Sequence, residues 1–345
     1  MNYIQAKKTN RQFEYIRAFS IIAVITIHTM YSALIQFGNS ATTLSILIYH
    51  IVVNLMWWAV PCFLMMTGSL LLDGKKDITM KKLYGKYILR MIIVLFSFGL
   101  AFSWMELVFE KKTISLTQIP EAFLDVLTGN TWAHMWYIYC LLGLYILLPM
   151  YRLIADYASD TKLKYILFVL FVFESVLRVT KIFGVELGFY CHNNTIYPFW
   201  FLMGAAWNRG MLKKIIKVDI CLLVMSSSLL VIASVLGVLL KLQLGSLFGY
   251  DSVFVVIQSF ALFSVFNSMK IKNKWDRILC KIGDKSFGIY LIHMFFINVF
   301  YKLLKCNPFN VLFGVGGAVF VIINIVLSYI AVSILKSLPG FKRIL

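Results

Sequence analysis

Arg17 and His28 stand eleven residues apart in one apolar run. At about 100° per residue, eleven residues turn roughly 20° past three full turns, so on a helix both side chains project from one face. Their axial separation is about 16 Å at about 1.5 Å per residue. A guanidinium grips carboxylate or phosphate through a planar fork of donors. An imidazole takes up and returns a proton near neutral pH. One face carrying both suits an extended ligand, with an anionic end at Arg17 and a reactive end at His28. Taken singly, each has a plainer reading. Arg17 alone reads as an anchor snorkelling to a membrane edge, and His28 alone as a core histidine bonded to a carbonyl. Together at this spacing they favour chemistry.

The elements that must position them are membrane helices. Of 345 residues, 61% are hydrophobic and 14% charged, with mean hydropathy +0.83. A soluble domain carries about 45–50% apolar and about 25% charged residues. The composition therefore excludes a soluble enzyme, a disordered chain and a nucleic-acid-binding domain. Ten stretches are apolar enough, or nearly so, to cross a bilayer: about 14–36, 46–72, 84–109, 132–152, 163–183, 195–211, 218–240, 249–269, 286–304 and 309–335. Pro61 is expected to kink the second. The first is too long for a signal peptide and lacks a small-residue cleavage site. The six cysteines form no disulfide framework and show no CxxC or Cys/His metal spacing.

Charge gives the orientation. With the N-terminus inside, 26 of the 33 Lys and Arg residues fall in cytoplasmic segments and 7 in outer ones. That split predicts an all-α bundle of about ten transmembrane helices with both termini cytoplasmic. Residues 1–345 read as a single transmembrane domain with no extra soluble domain. The polar stretch 110–131 is expected to hold a short interfacial helix. No similarity between the halves is visible, which weakens repeat-based transporter folds.

Other polar groups give weaker signals. His134 and Trp136 lie near the outer edge of the fourth helix, and Glu106 ends the third. They read either as contacts for a sugar hydroxyl, or as a belt aromatic and a solvated charge. His293 shares a face with Ser286 and Tyr290, about two turns from the cytoplasmic edge of the ninth. It reads as lining a channel or as a structural hydrogen bond. Glu174 and Arg178 are expected to pair within one helix. His50 and His192 read as loop or helix-end residues, and Asn193-Asn194-Thr195 matches a short, common glycosylation pattern.

Several motifs resemble the membrane acyltransferase-3 family. Arg17, ten residues and His28 resemble its first-helix signature. Pro61-Cys-Phe-Leu-Met-Met-Thr-Gly68-Ser69-Leu-Leu-Leu, His134-Met-Trp136-Tyr-Ile-Tyr, Tyr145-Ile-Leu-Leu-Pro149, Phe199-Trp-Phe-Leu-Met-Gly204 and Ser286-Phe-Gly-Ile-Tyr290-Leu-Ile-His293 follow in the family's order. The likeness covers about residues 11–336.

The resemblance implies an O-acyltransferase of a bacterial cell membrane. It would move an acyl group, expected to be acetyl, from cytoplasmic acyl-CoA to a hydroxyl of an extracytoplasmic glycan or lipid-linked sugar. His28 would be the general base; a transient acyl-enzyme is an alternative. Arg17, Lys86 and Arg90 would meet the CoA phosphates, with His293 along the donor's path. His134, Trp136 and Glu106 would face the acceptor. Acetyl-CoA is expected as donor substrate, with no tightly bound cofactor, no metal and no nucleic acid; glycan-synthesis proteins are possible partners. Where family members often carry two close arginines, this chain has Lys86-Tyr-Ile-Leu-Arg90, and lysine lacks the bidentate fork. A transporter or a non-catalytic membrane sensor are the competing classes.

Overall fold

The computed structural model of the chain describes residues 3–188, 195–212, 215–311 and 316–345. Helix makes up 81% of it, with no strand among the described residues. In chain order the helices are α1 (Tyr3–Phe37), α2 (Thr43–Leu55), α3 (Ala59–Leu71), α4 (Met80–Lys82), α5 (Leu89–Lys111), α6 (Ile119–Thr128) and α7 (Trp136–Ile146). There follow α8 (Leu148–Tyr157), α9 (Asp160–Phe171), α10 (Tyr197–Asn208), α11 (Ile216–Leu239), α12 (Val253–Ser268), α13 (Asn273–Asn298) and α14 (Gly316–Leu335). Helix suits such apolar sequence, because it satisfies backbone N–H and C=O groups within each segment where water is absent.

Among the described residues, six helical segments are long and apolar enough to cross a membrane: Arg11–Ser40, Thr43–Leu71, Met80–Lys111, Ile216–Leu239, Lys274–Leu303 and Gly316–Leu335. A seventh results if Ala133–Ile146 and Leu148–Tyr157, bent by 58°, form one span. Proline accounts for two breaks. Pro61 has no N–H for the carbonyl four residues back, and α2 gives way to α3 through a turn at 56–58. Pro149 does the same between α7 and α8. The expected short helix in the polar 110–131 stretch is α6, whose Ala122 and Val126 are buried while Phe123, Leu124 and Leu127 are exposed.

The chain divides into two compact units, Met1–Asp73 with Tyr157–Ser333, and Gly74–Asp156 with Ile334–Leu345. At the centre of the first, α1 packs against α13, α3, α2 and α12. Along α1 and α13, Arg11 meets Asp276, the Glu14 backbone meets Gly283 and His28 meets His293, and just past α13, in the π turn Val299–Leu303, the Tyr301 carbonyl accepts from Gln36. The two numberings rise together, so these helices run parallel. A Cβ at Gly283 would fall 2.3 Å from the Glu14 carbonyl oxygen, so only glycine permits this approach.

A second close crossing joins α3 to α10. A Cβ at Gly68 would fall 2.0 Å from the Phe201 carbonyl oxygen, and one at Gly204 would fall 2.2 Å from that of Met65. The Ser69 hydroxyl donates to the Gly204 carbonyl at 3.0 Å. Small residues and interhelical hydrogen bonds are what hold helices together in lipid, where apolar burial gives little. Polar rungs tie α2, α11 and α12 as well: Asn54 donates to Ser234 at 3.0 Å and Gln258 to Ser227 at 3.1 Å.

In the second unit, α5 packs against α6 and α7, and a π turn, Leu83–Ile88, leads into α5. Gly99 of α5 lies against Val126 of α6, where a Cβ would meet the valine at 3.2 Å.

Gly204→Ala is expected to destabilise the protein by about 1–3 kcal/mol, since the clash is with backbone that cannot swing away. Gly143→Ala, whose Cβ would meet nothing within 4 Å, serves as the control and should be neutral or slightly stabilising. Melting in one detergent, followed by size-exclusion chromatography, decides between them; equal melting of both variants would contradict the crossing.

Candidate functional site

The unbroken α1 keeps Arg17 and His28 on one face, as their spacing requires. Both side chains are half-buried. His28 Nδ1 lies 2.7 Å from His293 Nε2, and the rings are within 17° of parallel with centroids 5.0 Å apart. His293 is 0% exposed, and its Nδ1 lies 2.6 Å from the carbonyl oxygen of Tyr290, one turn earlier on α13. The imidazole of His28 is thus held against a second, fully buried imidazole anchored to its own helix.

Charge collects toward the N-terminal ends of α1 and α13. Arg17 forms an ion pair with Glu14, three residues back on the same helix. Asp276 accepts from the Tyr15 hydroxyl and lies 3.5 Å from Arg11. Beyond His28 the packing turns apolar. Ile27, Met30, Tyr49, Tyr301, Phe309 and Phe320 form a buried cluster there, with the Tyr49 hydroxyl accepting from the Gly317 N–H at 2.8 Å. One helix pair therefore carries an ionic end, an imidazole pair and an aromatic plug in sequence.

The remaining expected site residues belong to the second unit. Lys86 is exposed on the π turn. Arg90 is half-buried, and its Nε donates to the Ile344 carbonyl at 2.9 Å. Glu106, expected as a solvated end charge or an acceptor contact, accepts from the Trp132 indole at 2.9 Å. Trp132 stacks on Phe102, with centroids 4.4 Å apart and planes within 9°. His134 is buried beside this pair, its ring 5.4 Å from Phe102. Trp136, half-buried, opens α7 and meets Tyr137 edge-on.

A family model described as an acyltransferase domain matches residues 10–333. The chain belongs to the acyltransferase-3 family. Searches of curated proteins and of solved structures return no match. The matched span takes in Arg17, His28 and His293, and also Gly68 and Gly204, whose close approach holds α3 to α10.

Several details of this acyltransferase differ from the sequence expectation. His293 lies deeper in its helix than two turns, because α13 starts at Asn273 and not at the expected 286. The polar first half of α13 hid that start. His50 sits inside α2, not in a loop or at a helix end. Arg178 forms its ion pair with Asp251. The spacing from Glu174 to Arg178 presumes an α-helix, whereas the chain is π over Val172–Val176 and 3-10 over Leu177–Phe183. His192 and the glycosylation pattern beginning at Asn193 lie outside the described residues. Sequence reasoning missed Glu14 and Trp132 as partners. Glu14 was visible in principle, three residues from Arg17 on a helix; the indole of Trp132 is brought to Glu106 only by tertiary packing.

A double-mutant cycle tests the second cluster. Trp132→Phe keeps the stack on Phe102 but removes the donor to Glu106. Combined with Glu106→Leu, the cycle should give a coupling of about 1–2 kcal/mol in detergent melting. Strict additivity would mean that the indole and carboxylate do not interact.

Proposed function

We propose that this acyltransferase takes an acyl group, acetyl in our reading, from cytoplasmic acyl-CoA and places it on a hydroxyl of an extracytoplasmic glycan or lipid-linked sugar. The observation that carries the proposal is the His28 imidazole, fixed by His293 within the packed bundle on the face it shares with Arg17. In this reading His28 takes the proton from the acceptor hydroxyl as its oxygen attacks the thioester carbonyl. The C–O bond forms, the C–S bond breaks, and His28 returns the proton to the CoA sulfur. In the same reading Arg17 meets the donor's phosphates. No metal or tightly bound cofactor is required for this proton transfer.

The topology that goes with it has ten spans in one catalytic membrane domain, in a bacterial cell membrane, with both ends cytoplasmic. Support comes from the parallel course of α1 and α13. Parallel helices need an odd number of crossings between them. The long apolar segments between them give four: Thr43–Leu71, Met80–Lys111, the bent pair, and Ile216–Leu239. One or all three of the shorter helical stretches (160–183, Tyr197–Asn208 and Val253–Ser268) must then cross as well. All three give ten. The lysines and arginines gathered at the start of both α1 and α13 support a cytoplasmic side for those ends.

Purified protein in nanodiscs should release CoA from acetyl-CoA in the presence of glycan acceptor, and His28→Ala should lower that rate by about 100-fold or more. A wild-type rate in His28→Ala removes the base role. Arg17→Ala should raise KM for acetyl-CoA with less change in kcat. Glu14→Gln should lower that KM by about two- to fivefold, because the carboxylate competes with phosphate for the guanidinium. Opposite signs for the two variants support the donor site; a common sign argues against it.

A further inference from the structure

We infer that His293 is a positioning residue that fixes which nitrogen of His28 does the chemistry. The inference rests on the reading of His28 as the proton acceptor. A carbonyl oxygen has no proton to give, so the 2.6 Å contact between His293 Nδ1 and the Tyr290 carbonyl requires the proton on His293 Nδ1. His293 is fully buried on a helix at membrane depth, where a charged ring is costly, so its resting form is neutral. A neutral ring protonated at Nδ1 carries its lone pair on Nε2. That atom lies 2.7 Å from His28 Nδ1, so His28 must donate there. With its own proton on Nδ1, neutral His28 carries its lone pair on Nε2. The Tyr290 carbonyl thus sets the tautomer of His293, and His293 sets that of His28.

The chain of contacts also follows the charge through the reaction. When the acceptor hydroxyl gives its proton to His28 Nε2, the ring becomes an imidazolium. Its Nδ1–H already points at the Nε2 lone pair of His293, so the positive charge forms against a pre-oriented acceptor. The proton then leaves Nε2 for the CoA sulfur, and both rings return to their starting tautomers. His293 neither gains nor loses a proton over the cycle and touches neither substrate. It differs in this from a residue lining the donor's path, which would act through binding.

Two amide substitutions separate these roles. Glutamine can extend to the depth of Nε2 and offer an oxygen to His28 Nδ1–H. Asparagine ends near the depth of Nδ1; it can keep the contact with Tyr290 but cannot reach His28. His293→Asn should lower kcat for CoA release from acetyl-CoA by about 100-fold with KM within about twofold of wild type. His293→Gln should recover at least about tenfold of that loss. Equal kcat in the two variants, or a loss that falls on KM, overturns the inference. Wild-type protein labelled with ¹⁵N-histidine gives a reading that needs no His293 variant. The His28 signals, assigned by their absence in His28→Gln, should show a protonated Nδ1 and an unprotonated Nε2; the reverse pattern rejects it. If His28→Gln itself releases CoA at the wild-type rate, the base reading fails first, whatever the tautomer.

Discussion

The parallel packing of α1 on α13 is the constraint on which the rest of the first unit depends. In lipid, two apolar helices gain little by touching each other rather than acyl chains. What holds this pair is specific. Gly283 lets the backbones approach at Glu14, Asp276 collects Tyr15 and Arg11, and the two imidazoles meet further along. Each contact sets the register for the next. A bulkier residue at 283 would push α13 away from α1 at the ionic end, and the 2.7 Å approach of the rings could not survive a shift of even 1 Å.

The same pair shows how a membrane protein keeps reactive polar groups at depth. Each such group is expensive unless it is partnered. At the ionic end opposite charges share the cost, Arg17 with Glu14 and Arg11 with Asp276. Deeper in, an ion pair would be costly to bury and would fix its charges permanently. Histidine is suited to that position because its neutral form is both a donor and an acceptor. Two histidines in series, ending on a backbone carbonyl, satisfy each other without any standing charge. Beyond them the helices pack into a buried, largely apolar cluster.

Much of this was legible in the sequence, and the limits are physical. Arg17 and His28 were readable because both lie on one uninterrupted helix, where spacing alone dictates the face. The break at Pro61 was readable because a missing N–H acts locally. Nothing local signals which two helices pack together, so the meeting of His28 with His293, 265 residues later, could not be read. The start of α13 was missed for a related reason. Residues 273–285 intersperse six charged side chains among apolar ones, and an apolar-run criterion begins counting only where those charges end. Arg178 shows the opposite failure. α-Helical spacing points to Glu174 on its own segment, but π and 3-10 turns change the register there, and Asp251 comes from elsewhere in the fold.

The depth of His28 bears on how one site could serve two sides of a membrane. A hydrocarbon core is about 30 Å thick, and His28 lies about 16 Å along the helix axis from Arg17. In the proposed topology Arg17 lies near the cytoplasmic edge, which puts His28 close to the midplane. Neither substrate then needs to cross the whole bilayer. In the proposed reading, the donor's arm covers half the thickness while its phosphates stay at Arg17, and the acceptor hydroxyl covers the other half. A shallower base would leave the acceptor a longer polar path through lipid, and a deeper one would draw the charged end of the donor inward. In the proposed reading the spacing of ten residues between arginine and histidine divides the membrane's thickness, and a rigid helix holds that division where a loop could not.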